Sequence, residues 1–128
     1  MLSEDDETYL KERGFDYEVI PEGAMFSLVI RGFRLPAGYE PAVADLLLRL
    51  PGGFPDAAPD MFWMHPVVAY AGGGVPPATE TRLEYGGRTW QRWSRHLAIA
   101  WRPGVDTLQS YLRLIHTDLE KGAPALAA

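Results

Sequence analysis

Leu50-Pro51-Gly52-Gly53-Phe54-Pro55-Asp56-Ala57-Ala58-Pro59 and, after Asp60-Met61, Phe62-Trp63-Met64-His65-Pro66 divide the chain in two. The first stretch is too rich in proline and glycine for regular structure, because proline offers no backbone donor and glycine leaves the backbone unconstrained. The second predicts a short strand over residues 61–64, ended by His65-Pro66. Upstream lie apolar runs separated by turn residues. Residues 17–20 are followed by Pro21-Glu22-Gly23, then by residues 25–30, which extend irregularly through Phe33 to Leu35. Pro36-Ala37-Gly38-Tyr39 turns the chain again before residues 42–50. Short strands punctuated in this way predict an antiparallel meander, of four strands with the one after the crossing.

Helices bracket the meander. Ser3 is placed to cap a helix over residues 4–13, with Asp6 at the capping-box position and Gly14 to end it. Glu4-Asp5-Asp6-Glu7 reads as a solvated first turn, favoured by the positive end of the helix dipole. Beyond the crossing, residues 71–79 predict a flexible surface loop. Gly72-Gly73-Gly74 lacks the following helix and lysine that a phosphate cradle needs. Residues 90–101 are aromatic-rich and predict an extended, partly buried segment, broken by Pro103-Gly104. Asp106 is expected to cap a last helix, with Gln109 at the reciprocal position. Leu108, Tyr111, Leu112, Ile115 and Leu119 give that helix one apolar stripe to dock on the sheet. Lys121-Gly122 ends it, and residues 123–128 read as a loose tail. The expected fold class is α+β: an N-terminal helix, a four-stranded antiparallel meander, an irregular active-site segment and a C-terminal helix, in one domain over residues 1–122.

Composition narrows the chemistry. A chain of 128 residues, 47% apolar with four Trp, six Tyr and five Phe, has the makings of a real core and is not a disordered segment. The net charge of −5 and the lack of any basic run argue against a nucleic-acid partner. There is no cysteine, which excludes disulfides, thiolate metal sites and thiol nucleophiles. The three histidines are scattered without paired spacing, so no metal or other cofactor is expected. His116 falls on the last helix and reads as a solvated residue. No apolar run is long enough to cross a bilayer and none resembles a signal peptide, so no membrane association is expected and a cytoplasmic location is.

The order of these features resembles the ubiquitin-conjugating enzymes, over nearly the whole chain. Leu50 to Pro59 resembles that superfamily's stretch after its third strand, where a Tyr/Phe-Pro and a later Pro precede the fourth. Phe62-Trp63-Met64-His65-Pro66 resembles the strand running into its His-Pro-Asn motif, and Trp101-Arg102-Pro103 its Trp-Ser-Pro segment ahead of a helix. Within the superfamily the chain resembles a divergent, cysteine-less bacterial branch, on Trp90-Gln91-Arg92-Trp93-Ser94-Arg95-His96 and Trp101-Arg102-Pro103-Gly104. Members of that branch occur in operons with activating-enzyme-like, ubiquitin-like and deubiquitinase-like proteins. The resemblance therefore implies protein modification, in phage defence, with an activating enzyme, a ubiquitin-like protein and a target protein as partners. It also implies partner contact through residues 4–13 and 54–59, and a His65 that holds its turn by pairing with backbone.

Two departures from the pattern bear on mechanism. Val67 stands where the superfamily's Asn, which supports isopeptide formation, follows His-Pro. The superfamily's cysteine lies a short way before its conserved tryptophan. Counting back the same distance from Trp101 reaches Trp93, with Ser94 beside it as the substitute nucleophile. A serine hydroxyl, unlike a thiol, needs a base within reach. His96 lies two positions on, and in an extended segment the two side chains share a face. Arg95 or Arg92 could stabilise the oxyanion. The expected site is thus Ser94, His96 and Arg95, forming an oxyester with the ubiquitin-like protein. The competing readings are a non-catalytic adaptor of the same fold and an unrelated Ser-His hydrolase, the latter weakened by the lack of a Gly-x-Ser-x-Gly elbow. On the bland reading Ser94 is a small polar filler, and the four tryptophans are packing residues.

Overall fold

The computed structural model describes residues 1–124. Ser3 caps α1 (Glu4–Glu12), its hydroxyl accepting from the Asp6 N–H at 3.1 Å. Gly14, at φ +71°, closes the helix. Its N–H bonds Lys11 O and that of Phe15 bonds Leu10 O, the pairing that satisfies the last carbonyls of a helix. The chain then runs through β1 (Asp16–Glu22), β2 (Met25–Arg34), β3 (Tyr39–Glu40), β4 (Val43–Pro51), β5 (Phe62–His65), β6 (Ala69–Tyr70), β7 (Arg82–Tyr85) and β8 (Arg88–Trp93), and ends in α2 (Leu108–Gly122).

The sheet is larger than the four strands expected from the sequence. β1, β2, β4 and β5 form the expected antiparallel meander, but β8 adds beside β5 and β7 beside β8, giving six strands in the order β1-β2-β4-β5-β8-β7. β3 and β6 make a separate two-stranded ribbon. Residues 90–93 are extended and largely buried, as expected for the start of that segment, but as part of regular sheet rather than of an irregular active-site segment. They belong to a hairpin in which Tyr85 faces Arg88 across Gly86-Gly87. Both glycines have positive φ, 59° and 77°, as a two-residue turn matched to strand twist requires.

One face of the sheet packs on the helices through Leu28, Leu46, Leu48, Phe62, Met64 and Trp93, meeting Leu10, Tyr111 and Ile115. The other carries a smaller cluster of Val29, Leu47 and Trp90. The sheet curls around this second cluster, because its two edge strands meet: Tyr85 on β7 donates its hydroxyl hydrogen to Glu22 on β1. Arg49 reinforces the closure, 3.0 Å from Glu22 and over the Tyr85 ring.

Both helix starts differ from expectation. Asp6 is buried rather than solvated, and its Oδ1 accepts the Leu108 N–H, an otherwise unpaired donor at the start of α2, at 3.2 Å. The N-cap of α2 is Thr107, not Asp106. Its hydroxyl accepts from the Ser110 N–H while Ser110 Oγ accepts from the Thr107 N–H, so Gln109 is not the reciprocal residue. Asp106 instead accepts the Arg102 N–H at 2.8 Å, which holds its carboxyl below the ordinary value. The loop over residues 71–79 is not wholly at the surface either, since Pro76 and Thr79 are buried. Of the expected tail, Ala123 caps α2 and packs on the core, while residues 125–128 lie outside the described residues.

Candidate active site at the end of β8

The crossing of residues 51–60 is held against α2 and the segment after β8 by three aromatic residues. Phe54 packs on Trp101, whose Nε1 donates to Pro55 O at 2.8 Å. Trp101 in turn meets Tyr111 edge-on, and the Tyr111 hydroxyl donates to Asp60 O. Burial pushes the Tyr111 hydroxyl well above its ordinary value, so it stays a donor across the accessible pH range. Three sequence motifs far apart in the chain thus fix one backbone position, Asp60.

Asp60 reaches His96, with Oδ1 2.9 Å from the ring Nδ1. A carboxylate oxygen accepts, so Nδ1 is the donor of this pair, and in the neutral ring that tautomer keeps its lone pair on Nε2. The pair is exposed, 64% for His96 and 61% for Asp60, so its contribution to stability is small and its effect is to orient the ring. Pro59, Asp60, His96, Ala98 and Ile99 line a shallow pocket of about 190 Å³ around it.

Ser94 follows directly on β8. Its N–H bonds Ala78 O at 3.1 Å, and Ala78 has a left-handed φ of 57°, the one non-glycine residue with positive φ among those described. The Ser94 hydroxyl makes no hydrogen bond to His96 or to any other described residue. The expected extended run through His96 is replaced by a tight turn, in which the Arg95 N–H bonds Trp93 O at 2.9 Å. Alternation therefore does not place Ser94 and His96 on one strand face. Arg95 folds back over Trp93, its Nε 3.1 Å from Asp118 Oδ2 and its guanidinium 2.7 Å from Pro77 O. It ties β8, the preceding loop and α2 together. The structure thus brings His96 to Asp60 and Arg95 to Asp118, and leaves Ser94 at the junction.

A profile of prokaryotic E2 family E matches residues 2–122. The chain belongs to that family. No curated protein and no solved structure matches it. Membership points to a ubiquitin-conjugating-like, transferase-type role, which in general terms involves a ubiquitin-like protein and an activating enzyme.

In this family E protein the His65-Pro66 segment behaves as the resemblance implied. His65 Nδ1 lies 3.0 Å from Thr89 O, and Val67 is exposed at the position where an Asn would stand. Sequence reasoning missed two residues. Asp60 sits 36 positions from His96, and no local pattern couples them. Gln91 is fully buried and binds the backbone of Val68 in both directions, with Oε1 accepting at 2.9 Å and Nε2 donating at 3.0 Å. Polar Gln91 between Trp90 and Arg92, on an inward-facing strand position, was the available signal. Arg92 faces away from this site, opposite Trp63, with a hydrogen bond to Thr81 Oγ1 at 3.2 Å and a buried, unpartnered Nε. Among the described residues no group of three or more His, Asp or Glu is placed to hold a metal, and no helix is long and apolar enough to cross a membrane.

Proposed function

We propose that this protein is a ubiquitin-conjugating-like carrier in a bacterial protein-modification pathway, of the kind used in phage defence, and that it takes the ubiquitin-like protein as an oxyester on Ser94. Family membership over residues 2–122 carries this reading. The absence of cysteine supports an oxygen nucleophile, and Ser94 has an uncommitted hydroxyl at the end of β8.

Ser94 Oγ attacks the glycine carbonyl carbon of the thioester presented by the activating enzyme. The Oγ–C bond forms, the carbonyl–sulfur bond breaks, the enzyme's thiolate leaves, and the hydroxyl proton passes to Nε2 of His96. Asp60 holds the ring in the tautomer that can accept it. The missing Ser94–His96 hydrogen bond must form as substrate docks, between a half-buried Ser94 and an exposed His96 two residues on. Arg95, held through Nε by Asp118 and through Nη1 by Pro77 O, stabilises the developing oxyanion by its charge. His96 first releases its proton to the departing thiolate. It then takes the proton of the attacking target amine or hydroxyl and returns it to the Ser94 oxygen, as the new bond to the carbonyl carbon forms and the ester C–O bond breaks. The chain carries this out in the cytoplasm, without metal or cofactor.

Incubation with a cognate activating enzyme, the ubiquitin-like protein and ATP, followed by peptide mapping, tests this. An acyl group on the peptide carrying Ser94, lost in Ser94→Ala and slowed in His96→Gln and Asp60→Asn, is the expected result. A second reading, a non-catalytic adaptor that binds the ubiquitin-like protein or activating enzyme, is favoured by the uncoupled Ser94 hydroxyl. Binding with no covalent product would establish it and overturn the carrier.

A further inference from the structure

Far from Ser94, a groove of about 570 Å³ opens between the end of α1, the bend in β2 and the outer side of α2. Its lining includes Arg13, Arg31, Arg34 and Arg113, with His116 alongside. The chain as a whole is acidic, at −5, and these cations come from three separate elements, so no basic run announced them. β2 delivers two of them because its register shifts between Ile30 and Phe33, around Gly32 at φ +69°. Arg113 and His116 lie one turn apart on α2, beside the stripe that packs on the core.

Most of that charge has no counter-ion. Arg31 is paired to Asp16 at 3.2 Å and Glu18 at 2.8 Å, and His116 to Glu120 at 2.7 Å. Arg13, Arg34 and Arg113 form no ion pair among the described residues, which leaves three guanidinium groups facing one groove. Grouped like charges repel, and a bound polyanion relieves that repulsion. Guanidinium forks match phosphate oxygens two at a time, and the groove's volume falls in the range of small-molecule sites. Tyr9 and Phe15, with ring centres 6.3 Å apart, supply an apolar wall next to the arginines.

We propose that this groove is a binding site for a small polyphosphate-bearing ligand of nucleotide size, held by Arg13, Arg34 and Arg113. The proposal is independent of the acyl-transfer reading, since none of these residues lies at the Ser94 site.

The test is titration calorimetry and thermal shift of the whole protein at low salt, with inorganic tripolyphosphate, adenosine triphosphate and adenosine as separate probes. Both phosphates are expected to bind and to raise the melting temperature, and adenosine is not. The double variant Arg34→Gln, Arg113→Gln should weaken tripolyphosphate binding by at least tenfold. Arg102→Gln, which removes one exposed charge elsewhere, should leave it unchanged. Circular dichroism confirms that each variant is folded. Tighter binding of adenosine triphosphate than of tripolyphosphate indicates that the Tyr9 and Phe15 wall takes part, which supports the nucleotide-sized ligand. No saturable phosphate binding, equal loss in Arg102→Gln, or equal affinity for a triglutamate peptide overturns the proposal.

Discussion

Replacing Gln91 with leucine tests the polar centre of this fold. Gln91 is fully buried, and its Oε1 accepts from the Val68 N–H and, at 3.1 Å, from Trp93 Nε1, while its Nε2 donates to Val68 O. Leucine nearly matches the volume, so little cavity forms, but two donors and one acceptor lose their partner in a region that excludes water. Each such orphan costs about 1–3 kcal/mol, and partial relaxation keeps the total below the simple sum. The expected loss is about 3–5 kcal/mol, a large share of the stability of a small domain. For a chain of this length it corresponds to a fall in melting temperature of about 10–20 °C. Urea unfolding followed by tryptophan fluorescence measures it, with an unchanged m value required for the comparison. A loss below about 1 kcal/mol would refute the reasoning, because it would mean that the Val68 segment finds other partners.

Three other outcomes follow from the structure. Burial raises the Asp6 carboxyl above its ordinary 3.8 and outweighs the Leu108 N–H that favours the anion. Its stabilising effect is therefore complete below 3.8 and fades as pH rises through the folded value. Asp6→Asn, which keeps the acceptor for Leu108, should flatten that part of the curve of urea midpoint against pH. At Asp45, burial acts upward, but Arg88 at 2.8 Å and the Gly32 N–H prevail and hold the carboxyl below 3.8. That contribution is present above 3.8 and lost as pH falls through the folded value, so Arg88→Ala should lower stability by about 1–2 kcal/mol at pH 7 and by less at pH 3. Gly52→Ala would set a methyl group 2.6 Å from Ala24 O, and a loss of about 1–3 kcal/mol is expected in thermal unfolding.

The fold was legible where local chemistry and tertiary placement agree. Ser3 and Gly14 end their helix as written, the first strands follow their apolar runs, and the stripe from Leu108 to Leu119 is buried. The hairpin of β7 and β8 was legible too, though missed. Gly86-Gly87 between Leu83-Glu84-Tyr85 and Arg88-Thr89-Trp90 is a two-residue turn signal flanked by alternation. The caps of α2 were not decidable locally, because Asp106, Thr107 and Ser110 are all good capping residues and the Arg102 turn settles the competition. The site was half visible. Ser94, Arg95 and His96 are adjacent in sequence, but their partners Asp60 and Asp118 arrive through packing around Tyr111 and Trp101. The groove of arginines was invisible for the same reason, since only the tertiary fold gathers Arg13, Arg34 and Arg113.

The central claim is that the acyl group rides on the oxygen of Ser94. Its most direct test is intact-mass spectrometry of wild type and Ser94→Cys after charging, each with and without thiol reductant. The wild-type adduct should resist reductant and yield to hydroxylamine, whereas the Ser94→Cys adduct should be lost to reductant because a thioester has replaced the ester. Adducts of identical reductant sensitivity on both proteins, or none on either, would contradict it.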